Sequence, residues 1–388
     1  MDPQPPPPLL KRVRASIWRA PLRPRTDRDR VRLAMNDLIL HLHPPRVPRA
    51  AIAWSYTFGL GGLAVLLLVV LIGTGVLLMF AYTPSEQDAY ASVVALETEV
   101  WFGQMIRNLH HWSGNLLLIV AGLHMLRVFY TGAHRSPREF NWQLGLLLLG
   151  LVALGNFTGY LLPWDQLAYW AVTVAHSMLA YVPLIGDPLG DLLIGGEEVS
   201  GATLRNFFAL HVILIPLGFL VVGSFHIWRV RKDKFSQPRR LDDADPDGPQ
   251  MVTTIPHLVS REVVFALVVL ALLLGWSSFV DAPLGSAANP NDPPNPTKAA
   301  WYFMGVQELL LHFHPTFGAF IIPAFTVVAL VALPYLPEDA PAEGILVSVA
   351  AGAAPGSPER GAGRLAVVGG SCCAKPAKPA GLAALPAQ

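Results

Sequence analysis

Six stretches of this chain are too long and too apolar to be elements of a water-soluble domain. They lie at roughly 54–80, 111–131, 142–162, 207–229, 262–280 and 318–336, and each ends where charges or clusters of proline and glycine resume. A helix needs ~20 apolar residues to cross a ~30 Å hydrocarbon layer. Backbone polar groups inside lipid must be satisfied within the segment, so these runs predict transmembrane helices. The fold class is therefore all-α: a polytopic membrane protein of about six spans, a four-helix bundle followed by a shorter C-terminal membrane part. A composition 53% hydrophobic and only 14% charged agrees.

Charge sets the orientation. The arm 1–35 carries Lys11, Arg12, Arg14, Arg19, Arg23, Arg25, Arg28, Arg30 and Arg32. The loop after the second run carries Arg127, Arg135 and Arg138, and the loop after the fourth carries Arg229, Arg231, Lys232, Lys234, Arg239 and Arg240. The other loops are acidic, with Glu86, Asp88, Glu97 and Glu99, then Asp187, Asp191, Glu197 and Glu198, then Asp281 and Asp292. Basic loops face the cytoplasm, which places the N-terminus there. The arm, next to a first spanning helix, reads as a topology signal and no nucleic-acid partner is expected; the net charge of +1 by itself says nothing about one.

The expected order of parts is a basic arm at 1–35, a four-helix membrane domain at 36–230, a polar linker at 231–256, a C-terminal membrane domain at 257–337 and a low-complexity tail at 338–388. Residues 36–50 are expected to form a short amphipathic helix on the membrane surface. The first apolar run begins too far in, and is too long, for a cleavable signal peptide. Cys372 and Cys373 are adjacent and form neither a disulfide framework nor a metal spacing.

Histidine is costly inside a membrane and marks function there. Span two holds His110 and His124, fourteen residues apart, and span four holds His211 and His226, fifteen apart. At ~100° per residue these gaps return a side chain to within ~40° and ~60° of its start, so each pair shares a helix face. At ~1.5 Å per residue the members stand ~21–23 Å apart, one near each edge of the hydrocarbon layer. Spans two and four run in the same direction, so His110 pairs with His211 at the outer level and His124 with His226 at the inner level. Two imidazoles fill both axial positions of a haem iron, leaving no open site, which suits electron transfer.

Glycine repeats the period on the other two spans. Gly61 and Gly75 in span one, and Gly145 and Gly159 in span three, are also fourteen apart. A missing Cβ lets a flat macrocycle approach the backbone. Arg107 and Arg127, each three residues from a histidine, are candidates to pair with haem propionates.

The stretches RNLHHWSGNLLLIVAGLHMLRVFYTG (107–132), FTGYLLPWDQLAYWAVT (157–173) and LRNFFALHVILIPLGFLVVGSFHIWRVRK (204–232) resemble cytochrome b of the quinol:cytochrome c oxidoreductases, the bc and b6f class. The fifteen-residue gap and the run Pro163-Trp164-Asp165-Gln166 are closer to the b6 type. The resemblance covers roughly residues 36–336. It implies two non-covalent b haems on His110/His211 and His124/His226, with the lower potential at the outer pair. It also implies a prokaryotic plasma-membrane complex, expected to be homodimeric, that oxidises quinol near the outer face. Its partners would be quinone, membrane lipid, a Rieske iron–sulfur protein and a cytochrome c-type subunit, and its circuit would move protons outward. An apolar outer quinol slot is then expected between Pro163 and Trp164 on one side and Trp301, Tyr302 and Phe303 on the other. Near the inner haem, Asn36, Arg231, Arg261 and Glu262 are quinone-site candidates.

Three positions depart from the family pattern. Its outer site usually reads Pro-Glu-Trp-Tyr, whereas this chain has Ala299-Ala300-Trp301-Tyr302. Glu308 is then the candidate replacement proton acceptor. The b6-type cysteine that anchors a further haem is Gly59 here. The C-terminal part has two predicted spans where the family has three or four. The altered outer site leaves open a second reading, a dihaem membrane anchor relaying electrons between quinone and another oxidoreductase. Membranes carrying the chain are expected to show a b-type band in a reduced-minus-oxidised spectrum, and Ala at His110 and His124 together should abolish it. A spectrum without that band in the unmodified chain refutes haem binding.

Overall fold

Six helices are long and apolar enough to cross a membrane: Leu60–Met79, Gly103–Tyr130, Glu139–Leu161, Gly201–Lys232, Thr254–Phe279 and Thr316–Tyr335, here spans 1 to 6. They come from a computed structural model that describes residues 26, 44–238, 249–295 and 298–336. The arm except Thr26, most of the expected surface helix with Asn36, residues 239–248, and the tail with Cys372 and Cys373 lie outside the described residues.

Each apolar run predicts a helix, but spans 2, 4 and 5 begin earlier than hydropathy suggests. Span 4 starts six residues ahead of its run because Ser200 caps it. The Ser200 hydroxyl accepts from Ala202 N, and the Thr203 hydroxyl returns the favour to Ser200 N. Span 2 starts at Gly103, directly after Phe102 in a left-handed conformation (φ 59°). A Cβ on Gly103 would lie 1.9 Å from the Leu96 carbonyl oxygen, so only glycine fits there. The first turns of span 2 are polar yet buried, because a loop from the C-terminal part satisfies them.

Spans 1 to 4 enclose a core of Leu67, Leu109, Leu117, Val120, Val152, Ile215 and Phe219, to which span 5 adds Leu273. Side chains such as Val69, Leu220 and Phe325 are 62%, 66% and 74% exposed, as expected of a surface in contact with lipid tails. Two spans widen into π-helical turns, at Leu210–Leu214 and Phe219–Gly223 in span 4 and at Thr316–Ile321 in span 6. Two of these turns immediately precede a proline. Ile215 N–H reaches back five residues to Leu210 O just before Pro216, and Ile322 N–H to Phe317 O just before Pro323. Proline removes a donor and crowds the preceding turn, and a wider turn relieves both.

The described part of the expected surface helix is not helical. Arg46–Pro48 is a strand, antiparallel to Met251–Thr253, with Val47 opposite Val252 and fully buried. Pro44, Pro45 and Pro48 prevent a helix here by fixing φ and removing donors. Thr254 N donates to Pro45 O at 3.0 Å. The segment before span 1 is thus tied to the start of span 5.

On the outer side, the connection between spans 3 and 4 folds into two short helices, Gln166–Leu179 and Gly186–Ile194. Asp165 caps the first, accepting from Ala168 N at 2.9 Å through Oδ1. Its Oδ2 accepts from Gly285 N at 2.9 Å. Gln166 extends this seam: its N–H donates to Ser286 O at 2.8 Å, its Oε1 accepts from Asn289 N at 2.6 Å, and its Nε2 donates to Asp292 O. The Pro/Asn/Asp-rich loop after span 5 is therefore irregular but bonded along much of its length, although most of its residues are exposed.

Asn108, 2% exposed, holds the start of that loop. Its Nδ2 donates to Ser277 O at 3.0 Å and to Asp281 Oδ1 at 3.1 Å, and its Oδ1 accepts from Ala282 N at 2.8 Å. Asn108→Leu leaves these groups without partners and is expected to lower stability by about 1–3 kcal/mol. Thermal melting of the purified protein checks this, and an unshifted melt counts against the seam.

Candidate functional site

Of the two histidine pairs that the span order predicts, the structure brings the outer one into ring contact: the His110 and His211 rings are 6.1 Å apart between centroids, with planes inclined at 69°. At the inner level His124 lies against Gly61 and His226 against Gly145. Two imidazoles bound to one metal ion through bonds of about 2 Å put their ring centres roughly 6 Å apart, which matches the outer pair. Two imidazoles alone leave a metal short of ligands. Among the described residues no cluster of three or more His, Cys, Asp or Glu side chains could hold an ion. A haem, which brings four nitrogens of its own, suits this donor set.

The glycines lie against the histidines themselves. A Cβ on Gly75 would come within 3.2 Å of His110 Cε1, and one on Gly61 within 3.5 Å of His124 Cε1. Across the bundle, Gly145 faces His226 Cε1 at 3.6 Å, and Gly159 faces His211 Cε1 at 2.6 Å. Span 1 thus backs the histidines of span 2, and span 3 backs those of span 4. The fifteen-residue gap in span 4 runs through both of its π-turns, and each histidine still reaches its glycine.

Hydrogen bonds select the tautomer at the outer level. Thr74 Oγ1 lies 2.9 Å from His110 Nδ1, and Thr158 Oγ1 lies 3.2 Å from His211 Nδ1. Each hydroxyl has a single hydrogen and donates it to a carbonyl of its own helix, Thr74 to Val70 O at 2.7 Å and Thr158 to Leu154 O at 2.8 Å. The hydroxyls must therefore accept from Nδ1–H, which leaves both Nε2 lone pairs free to bind a metal. Sequence reasoning missed these threonines, although a Thr-Gly dipeptide at both outer positions was a visible signal. At the inner level leucines, Leu60 and Leu144, precede the glycines.

The two arginines have protein partners. Arg107 donates through Nη1 to Ala282 O at 2.9 Å and through Nη2 to Pro283 O at 2.8 Å, and pairs with Glu97. Arg127 donates to Tyr56 O at 2.8 Å and lies over the Tyr56 ring, 4.3 Å from its centroid.

The outer-slot residues fall in two places. Trp301–Phe303 form a single 3-10 turn against spans 2 and 3. Trp301 Nε1 donates to Asn115 Oδ1 at 2.6 Å, and Phe303 meets Phe157 edge-on at 5.6 Å. Burial, and then the neighbouring Tyr160, push the Tyr302 hydroxyl pKa well above its ordinary value. Trp164, after Pro163, turns with φ at 54° into a buried cluster with Tyr169, Val172, Leu204 and Phe207. Its carbonyl accepts from Ala288 N at 3.1 Å, so it contacts the loop after span 5. Glu308 is largely exposed, 3.3 Å from His312 Nε2. On the inner side Arg261 donates to Ile52 O at 3.3 Å, Glu262 approaches Gly62, and Arg231 lies in the last turn of span 4. At Gly59, φ is +65° and a Cβ would lie 3.0 Å from both Phe265 and Trp54.

These features define a polytopic membrane protein that places paired histidines at two levels of a four-helix bundle, suited to an embedded redox cofactor. The family model described as Cytochrome b/b6/petB matches residues 48–234. A cytochrome bc complex cytochrome b subunit from Chlorobaculum thiosulfatiphilum is 35% identical over 315 residues, covering 80% of this chain and 72% of that protein. A menaquinol:cytochrome c reductase cytochrome b subunit from Geobacillus thermodenitrificans is 39% identical over 203 residues, covering 52% of this chain and 91% of that one. Among solved structures, a chain of a hyperthermophilic respiratory Complex III superposes with a TM-score of 0.68 at 26% identity, covering 75% of this chain and 78% of that one. The chain belongs to the cytochrome b family.

The unequal clearances separate the two levels. Gly159→Ala must displace the His211 ring, whereas Gly145→Ala makes an ordinary van der Waals contact. Haem b per polypeptide, measured as the pyridine haemochrome, is expected to fall clearly in the first variant and stay near the unmodified value in the second. Equal values in both would argue against the cradle.

Proposed function

We propose that this chain is the cytochrome b subunit of a quinol-oxidising bc-type complex. Its work would be to move electrons between two b haems across the membrane and to couple quinol oxidation to proton translocation. The observation that carries this reading is the His110–His211 pair, 6.1 Å apart with each ring backed by a glycine. His110 and His211 would hold the outer haem, and His124 and His226 the inner one. A bound haem supplies reversible one-electron redox chemistry and carries two carboxylates. Arg107 and Arg127, three residues from span 2 histidines, would supply positive charge near those carboxylates. Thr74 and Thr158 would hold the outer rings in the metal-binding tautomer. Glycine at 59 offers no thiol to anchor a further haem, which accords with non-covalent binding.

Trp301, Tyr302 and Phe303, with Pro163 and Trp164 further along the outer face, would border the quinol site. Quinol is also the donor in the name of the Geobacillus relative. The expected partners are a Rieske iron–sulfur protein, a cytochrome c-type subunit, and a second copy of the complex, in a prokaryotic plasma membrane with the N-terminus cytoplasmic. Alternating basic and acidic loops support that orientation. Co-purification of a Rieske subunit favours this reading, and its replacement by an unrelated dehydrogenase favours a dihaem anchor.

With alanine at 299 and 300, Glu308 and its neighbour His312 form the proposed proton-accepting pair. Glu308→Gln is expected to slow quinol oxidation by the assembled complex at least about tenfold with haem content unchanged. An unaltered rate removes Glu308 from the mechanism.

A further inference from the structure

Asn115 lies inside span 2, where a polar side chain is costly unless it is paired. Its amide is bonded on both sides. Nδ2 donates to the His111 carbonyl at 3.0 Å and lies 3.2 Å from His111 Nε2. Oδ1 accepts from the Trp301 indole at 2.6 Å. Indole nitrogen is a donor only, so its acceptor dictates where the ring points. Trp301 is remote in sequence, and its turn meets the bundle through the hydrogen bond to Asn115, among other points such as the contact of Phe303 with Phe157. The ring contact restrains distance loosely, whereas the hydrogen bond restrains direction.

We propose that Asn115 is a positioning residue for quinol oxidation: it seats the Trp301–Phe303 turn by accepting the Trp301 indole hydrogen. This rests on the reading that the turn borders the quinol site. Asn115 need not touch the quinol. It aims a wall of the site from within the haem-binding helix.

A double-mutant cycle in the assembled complex tests it, using Asn115→Leu, Trp301→Phe and both together, with a short-chain quinol as donor. Phe keeps the ring and loses the donor. Each single change is expected to lower kcat about tenfold. The double change should lower it no further, with KM within about twofold and the haem spectrum unchanged in all three. Asn115→Asp, which keeps an accepting oxygen, should restore most of the rate. If Leu at 115 reduces haem content, Asn115→Ser takes its place in the cycle. A normal rate in the 115 variant beside a slow Trp301→Phe overturns the role of Asn115, as does a multiplicative loss of about a hundredfold in the double. A normal rate in Trp301→Phe removes the turn from the quinol site, and the proposal falls with that reading.

Discussion

His110, His124, His211 and His226 each rest a ring edge on a glycine of the neighbouring span, and the bundle is organised around those four contacts. A Cβ would crowd the ring at the outer level, most severely at Gly159, where it would be 2.6 Å from His211, and would make only ordinary contact at Gly61 and Gly145. The contacts set span 1 against the histidines of span 2 and span 3 against those of span 4. At the outer level Thr74 and Thr158 add direction, since an accepting hydroxyl chooses the protonated nitrogen. Two imidazoles that are both spaced and tautomerically prepared would need little reorganisation to hold a metal between them.

Lipid offers no hydrophobic drive for one helix to find another, so association relies on packing and hydrogen bonds. The join between the C-terminal part and the bundle follows this logic. Side chains of spans 2 and 3 donate to backbone carbonyls of spans 5 and 6 and the loop between them. Trp112 bonds Val280 O at 2.9 Å, Trp142 bonds Leu330 O at 2.7 Å, and Gln143 bonds Val331 O at 2.8 Å. In the loop between them Arg107 donates to Ala282 O, while Asn108, Asp165 and Gln166 accept from the backbone N–H groups of Ala282, Gly285 and Asn289. The motif that marks the b6-like stretch, Pro163-Trp164-Asp165-Gln166, thus works largely as the anchor of that loop.

Much of the fold was legible beforehand, because membrane spans and intramembrane histidines carry strong and local signals. Hydropathy misplaced the start of span 2, since it cannot see that Arg107 and Asn108 are satisfied by residues about 170 positions away, and that of span 4, which the Ser200 cap sets. It also mistook the proline-rich Arg46–Pro48 for part of a surface helix, where prolines and a distant partner strand make β pairing the outcome. Ideal helix angles could not include the π-turns of span 4. Asn115 escaped notice because its meaning depends on Trp301, which the chain brings back only after three further spans.

By itself the sequence determined the six spans and the fourteen-residue periods of His110 and His124 and of the two glycine pairs. These follow from the thickness of a bilayer and the pitch of a helix, which are the same for every chain. Only the tertiary structure decided which glycine backs which histidine, that Thr74 and Thr158 choose the outer tautomers, and that Trp301 is aimed by Asn115. Those depend on contacts between helices, and the distances that settle them, between 2.6 and 3.6 Å, exist only once the helices are packed.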